Sequence, residues 1–115
     1  MRGRGARGSR PSARASLAGA TGAAADAAGA RYQYAALLPV HERVFGPYHP
    51  DTLTTRAHLA IWTGEAGDAA GARDQYAALL PIREWARGPE YPATLTTRSN
   101  LALWTEQAAG DRGPG

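Results

Sequence analysis

Cysteine and lysine are both absent from this 115-residue chain, and methionine and phenylalanine occur once each. Without cysteine there is no disulfide, no thiolate metal site and no cysteine nucleophile. Histidine is scarce as well. His41, His49 and His58 stand apart with no partner at ligand spacing, so they read as ordinary surface or loop residues and no metal site is expected. No apolar run nears the roughly 20 residues that a membrane helix needs. The opening MRGRGARGSRPSARASLAGA is charged like a secretion signal, but no apolar stretch follows it. A cytoplasmic chain without a membrane role is the expectation. Nucleophile elbow, phosphate-cradling loop and zincin pattern are all missing. GRGARG, at 3–8, follows no predicted strand and opens no predicted helix, so a phosphate loop is excluded. Neither an enzyme nor a cofactor is expected.

Charge of one sign is concentrated at one end. All 13 cationic side chains are arginine, and Arg2, Arg4, Arg7, Arg10 and Arg14 fall in the first 14 positions, where there is no acid. The net charge of +3 thus divides into +5 on that segment and −2 on the remaining body. Residues 1–13 are expected to form a disordered Arg/Gly-rich tail. The same composition, RGRGARGSRPSAR, suits phosphate contacts and guanidinium stacking on RNA, with strong salt dependence. Arginine to the exclusion of lysine, with abundant alanine and glycine, points to a GC-rich genome of the actinobacterial kind.

An internal repeat decides the architecture. GARYQYAALLPVHERVFGPYHPDTLTTRAHLAIWT recurs as GARDQYAALLPIREWARGPEYPATLTTRSNLALWT at a constant offset of 42. Tyr34 maps to Tyr76, Pro39 to Pro81, Gly46 to Gly88, Pro50 to Pro92, Leu59 to Leu101 and Trp62 to Trp104. A degraded third copy lies upstream, where 14–31 aligns with 56–73 at the same offset.

Two helices are legible in each unit. Pro50 and Pro92 suit the first helical position, where no backbone donor is lost, and Asp51 favours the positive helix end. Leu53, Ala57, Ala60, Ile61 and Gly64 follow at helical spacing on one face. Gly67 suits a helix end and Asp68 an N-cap. The second helix then turns Ala69, Ala72, Tyr76, Leu79 and Leu80 inward and stops at Gly88-Pro89. Pro39 and Pro81 fall inside such helices, each removing one hydrogen bond, and a long helix kinked at that point is expected. The predicted helices are 13–24, 26–45, 50–65, 68–87 and 92–108.

With these residues in view, the chain resembles the 42-residue tetratricopeptide repeats of the kinesin-light-chain type over about residues 14–109. Its small residues at close helix crossings would be Ala18, Ala60 and Ala102, each preceded by a leucine (Leu17, Leu59, Leu101). Ala30, Tyr34, Leu37 and Ala72, Tyr76, Leu79 match the small–aromatic–apolar pattern of its second helix. The resemblance implies an all-α stack of helical hairpins in a short right-handed superhelix. The units would be a degenerate 14–49, a complete 50–91 and a partial 92–109, followed by a tail at 110–115.

The resemblance further implies a groove lined by the first helices, binding a protein or peptide partner. The groove positions would be Thr54, Ala57, His58, Ile61 and Glu65, then Thr96, Ser99, Asn100, Leu103 and Gln107. Of the asparagines that relatives use to clamp a ligand backbone, only Asn100 is kept, with Ser16 and His58 at the matching places. The lysine clamp of chaperone-binding relatives has no counterpart here. The rival function is RNA or other nucleic-acid binding through the N-terminal arm. Trp62 and Trp104 are expected to pack between units, whereas Trp85 and Tyr32 are candidates for exposed contacts. No second helix follows 92–108, so some of Leu101, Leu103 and Trp104 should stay bare. Self-association through this helix, or membership of a longer array, is expected.

Overall fold

The computed structural model describes residues 17–111, and these are all helical apart from short connections. Four helices follow one another: α1 (Leu17–Phe45), α2 (Pro50–Glu65), α3 (Ala69–Arg87) and α4 (Pro92–Asp111). Each packs on the next in chain order, α1 on α2, α2 on α3 and α3 on α4. None of the described helices is long and apolar enough to cross a membrane. The arginine-rich segment 1–13, with its RNA-binding alternative, lies outside the described residues.

Helix starts follow the expected chemistry. Pro50 and Pro92 open α2 and α4. Asp68 caps α3, its carboxylate accepting from Gly71 N at 2.8 Å. α1 and α3 both run through their prolines. Ala35 and Ala77, whose carbonyls lose a partner there, are exposed, so water can take the place of the missing donor.

One expectation fails. The predicted helices 13–24 and 26–45 are a single helix, α1, over their described part. The reason is one residue. In the second unit the chain turns at Gly67, whose φ of +106° is reached without strain only by glycine. Ala25 stands at the equivalent position, and alanine there favours continued helix. A smaller correction is that α4 runs on to Asp111, past the predicted end at 108. Glu106, Gln107, Ala108 and Ala109 are good helix formers, and the extra residue in TEQAAGD displaces Gly110 from the position of Gly67.

The core is that of the α2–α3 hairpin and its neighbours. Leu53, Ala60, Ala69, Ala72, Tyr76 and Leu79 are buried as expected, whereas Ala57, Ile61 and Leu80 are half-buried. The threonines were not anticipated there. Thr52, Thr55, Thr63, Thr94 and Thr97 are all buried. Each hydroxyl is satisfied by a backbone carbonyl, and the bonds repeat with the sequence. Thr55 donates to Asp51 O (3.1 Å) and Thr97 to Ala93 O (2.8 Å). Thr63 donates to Leu59 O, and the exposed Thr105 makes the equivalent bond to Leu101 O, both at 2.7 Å. Thr52 reaches His41 O at 3.2 Å and Thr94 reaches Arg83 O at 3.3 Å. A threonine that bonds back to the carbonyl four residues earlier carries no unmet donor into the core and presents only a methyl and a spent hydroxyl.

Between units, the close approach is at Gly64. A Cβ there would lie 2.5 Å from the Trp104 ring, so the bare backbone is the floor on which that indole rests. Trp104 and Trp62 are half-buried, which agrees with a packing role.

Candidate functional site

On α2, Thr54, His58, Ile61 and Glu65 recur at helical spacing, forming one stripe about 16 Å long. Thr54, His58 and Glu65 are exposed and Ile61 is half-buried. On α4, Thr96, Ser99, Leu103 and Gln107 are exposed and Asn100 is half-buried. The two stripes converge at one end. There Glu65, Leu103 and Gln107 line a cavity of about 730 Å³ together with Gly64, Trp104 and Asp111. Thr96 and Ser99 do not line it.

His58 and Asn100 occupy equivalent places and keep equivalent neighbours. The His58 ring stacks on Tyr34 of α1, with centroids 5.1 Å apart. Asn100 lies beside the hydroxyl of Tyr76, the copy of Tyr34. Tyr76 is buried, and its hydroxyl has no well-formed hydrogen bond. Burial pushes this phenol from 10.0 up to about 12, against the opposing pull of Asn100 and Arg83. Because the folded value lies above the unfolded one, its contribution to stability is complete below pH 10 and is lost as pH rises through about 12. The whole effect is on the order of 2–3 kcal/mol. Urea midpoints across this range should therefore fall more steeply for the wild type than for Tyr76→Phe. Parallel curves would contradict the assignment.

At the other end of the stripe, Thr54 helps to line a second cavity of about 300 Å³, where the ends of α2, α3 and α4 meet. Tyr48, Arg83, Arg87 and Tyr91 form its polar and aromatic walls. Arg83 donates from Nη2 to Leu53 O at 3.3 Å, while its Nε is buried without a partner. Burial lowers its pKa, with Tyr76 and Tyr91 opposing. The Arg87 guanidinium sits 4.9 Å above the Tyr91 ring. Among the described residues neither arginine is in an ion pair, in contrast to Arg31 with Asp68 and Arg98 with Glu84. Two guanidinium groups on the wall of one cleft, without an ion-pair partner among the described residues, are suited to an anion such as a carboxylate.

This cleft was missed in the sequence, yet a signal is there. In the first copy, His41, Phe45 and His49 form a run of contacting rings, with centroid separations of 5.4 and 4.7 Å. The equivalent residues of the second copy are Arg83, Arg87 and Tyr91. They belong to a stretch, 41–49 against 83–91, in which six of nine positions differ, and this marks the place where the second unit diverges.

The histidines are more than ordinary surface residues. His41 Nδ1 lies at hydrogen-bond distance, 2.8 Å, from Thr55 Oγ1. His49 caps α2, with Nδ1 accepting from Asp51 N at 3.1 Å. Among the described residues no group of histidines and carboxylates could hold a metal ion. Trp85 and Tyr32 are largely exposed, as expected, and Trp85 meets Tyr48 edge-on at 6.0 Å.

No family model, curated protein or solved structure matches this chain.

Proposed function

We propose that the chain is a tetratricopeptide-type interaction module, a short right-handed stack of 42-residue units that binds an extended segment of a protein partner. The segment lies along the exposed residues of α2 and α4, from Thr54 to Glu65 and on to Leu103 and Gln107. An acidic group of the partner is held at the Arg83–Arg87 end. The observation that carries this reading is the pairing of an exposed stripe with a cavity at each end, one of them walled by two arginines that have no ion pair among the described residues. A stripe of about 16 Å accommodates about five extended residues. Support for the repeat class is the recurrence of side-chain hydrogen bonds at the 42-residue offset.

The test is binding of fluorescent peptide pools, each five to seven residues long, differing only in whether they carry aspartate and glutamate. The acidic pool should bind more tightly, and Arg87→Glu should weaken it about tenfold, the effect of losing roughly 1.4 kcal/mol. Leu103→Ala and Asn100→Ala should weaken binding as well, while removal of residues 1–13 leaves it intact. Peptide binding indifferent to Arg87→Glu and Leu103→Ala would defeat the proposal. RNA binding that disappears with residues 1–13 would favour the arm as the working part.

A further inference from the structure

The α2–α3 contact is a template for a contact that the same chain can make with a second copy. α4 carries the α2 side of that template and α1 carries the α3 side, residue for residue. On α2 the buried set is Leu53, Ala60 and Thr63, and α4 repeats it as Leu95, Ala102 and Thr105. On the α3 side the set is Ala72, Gln75 and Leu79, and α1 repeats it as Ala30, Gln33 and Leu37.

Their exposure shows that, among the described residues, both copied faces lack the neighbour that the template has. Leu53 is 4% exposed, but its twin Leu95 is 44% exposed. Leu79 is 0% exposed, but Leu37 is 38% exposed. Ala102 and Thr105 are open to solvent where Ala60 and Thr63 are fully buried. The polar pairing has the same asymmetry. Gln75 Nε2 lies 3.2 Å from Thr63 Oγ1 across the α2–α3 contact. Their twins Gln33 and Thr105 are both exposed, on opposite outer helices.

We infer that the chain associates head to tail, α4 of one copy packing antiparallel on α1 of the next in the manner of α2 on α3. The occupant of each bare face is argued from the chain itself, because the complementary surface already works within it. Leu95 would meet the Leu37 region and Thr105 would meet Gln33. The two differences in helix length are compatible with this packing. α4 is longer than α2 at its C-terminal end, and α1 extends ten residues beyond the position equivalent to the start of α3. In an antiparallel contact those two extensions lie side by side. The contact joins two different faces, so it leaves one of each free on every pair and allows growth beyond a dimer. It uses neither the Arg83–Arg87 cleft nor a peptide ligand.

Sedimentation equilibrium of the full chain from micromolar to millimolar concentration tests this, using Leu95→Glu and Leu37→Glu. The wild-type average mass should climb past that of two chains. Each variant alone should remain at the 12.1 kDa of one chain. An equimolar mixture should form a pair and stop there, since one variant keeps an intact α1 face and the other an intact α4 face. Thr105→Arg and Gln33→Arg, both at exposed positions, form a second set should a leucine variant lose helicity. A wild type that stays monomeric throughout would overturn the inference, as would a mixture that stays monomeric. Association that Leu95→Glu abolishes and Leu37→Glu does not would indicate a symmetric α4–α4 dimer, and would overturn it too.

Discussion

Tyr76→Ala is expected to destabilise the isolated chain by about 3–5 kcal/mol, the range for truncating a large buried aromatic side chain. Tyr76 is among the largest fully buried side chains, at 1% exposure, and belongs to α3, the helix that packs on both α2 and α4. Removing the ring leaves a cavity where helices from two units meet. A small domain has little stability to lose, so a large part of the population should be unfolded at room temperature. Two comparisons isolate the cause. Tyr34→Ala removes the same ring from the same sequence context, but Tyr34 is only half-buried, so less than half the effect is expected. Tyr76→Phe keeps the ring and deletes a buried hydroxyl without a well-formed hydrogen bond, so it should be near neutral or stabilising. Urea unfolding followed by far-ultraviolet circular dichroism measures all three. A Tyr76→Ala protein within about 1 kcal/mol of wild type would be no different from an ordinary surface change, and the packing described above would be wrong.

Leu79→Ala should have the second largest effect, about 2–5 kcal/mol. Leu79 is wholly buried, and apolar burial of a leucine adds to a cavity that a close-packed helix pair cannot collapse to fill. The equivalent Leu37→Ala should cost less than about 1 kcal/mol in dilute solution, as expected of a partly exposed side chain. For a domain of this size each kcal/mol corresponds to a change in Tm of about 4–8 °C. Thermal scans at low concentration therefore distinguish the two variants readily. Equal losses at the two positions would mean that burial is not what separates the copies.

Much of the local structure was legible in the residues. Pro50, Pro92, Asp68 and Gly67 mark helix boundaries through the chemistry of one or two peptide units, and all four do so in the structure. The continuity of α1 was also written locally, in Ala25 opposite Gly67, but the copy was too degraded for that difference to stand out. The buried threonines were harder. A threonine looks polar in a sequence, and only its bond to a backbone carbonyl, one turn back or on the preceding helix, makes it suitable for a core. The recurrence of TLTT at the 42-residue offset was the available clue. Of the site residues, Glu65, Leu103 and Gln107 line one cavity, and Thr54 meets the cleft that sequence reading overlooked. Arg83 and Arg87 gave no signal singly, because an arginine near a helix end is usually solvated. That neither forms an ion pair among the described residues is a fact of three-dimensional placement.

What the sequence determined alone was helix class, helix order and the register of the two copies. These depend on backbone conformational preference and on spacing along a helix, which short stretches of chain possess by themselves. Tertiary structure decided which member of each pair is buried. Leu53 and Leu95 share the context TLTTR, yet differ tenfold in exposure, because α3 covers the face that holds Leu53 and no described helix covers the equivalent face around Leu95. Burial belongs to a residue and its neighbour together, so identical sequence yields core in one place and open surface in another.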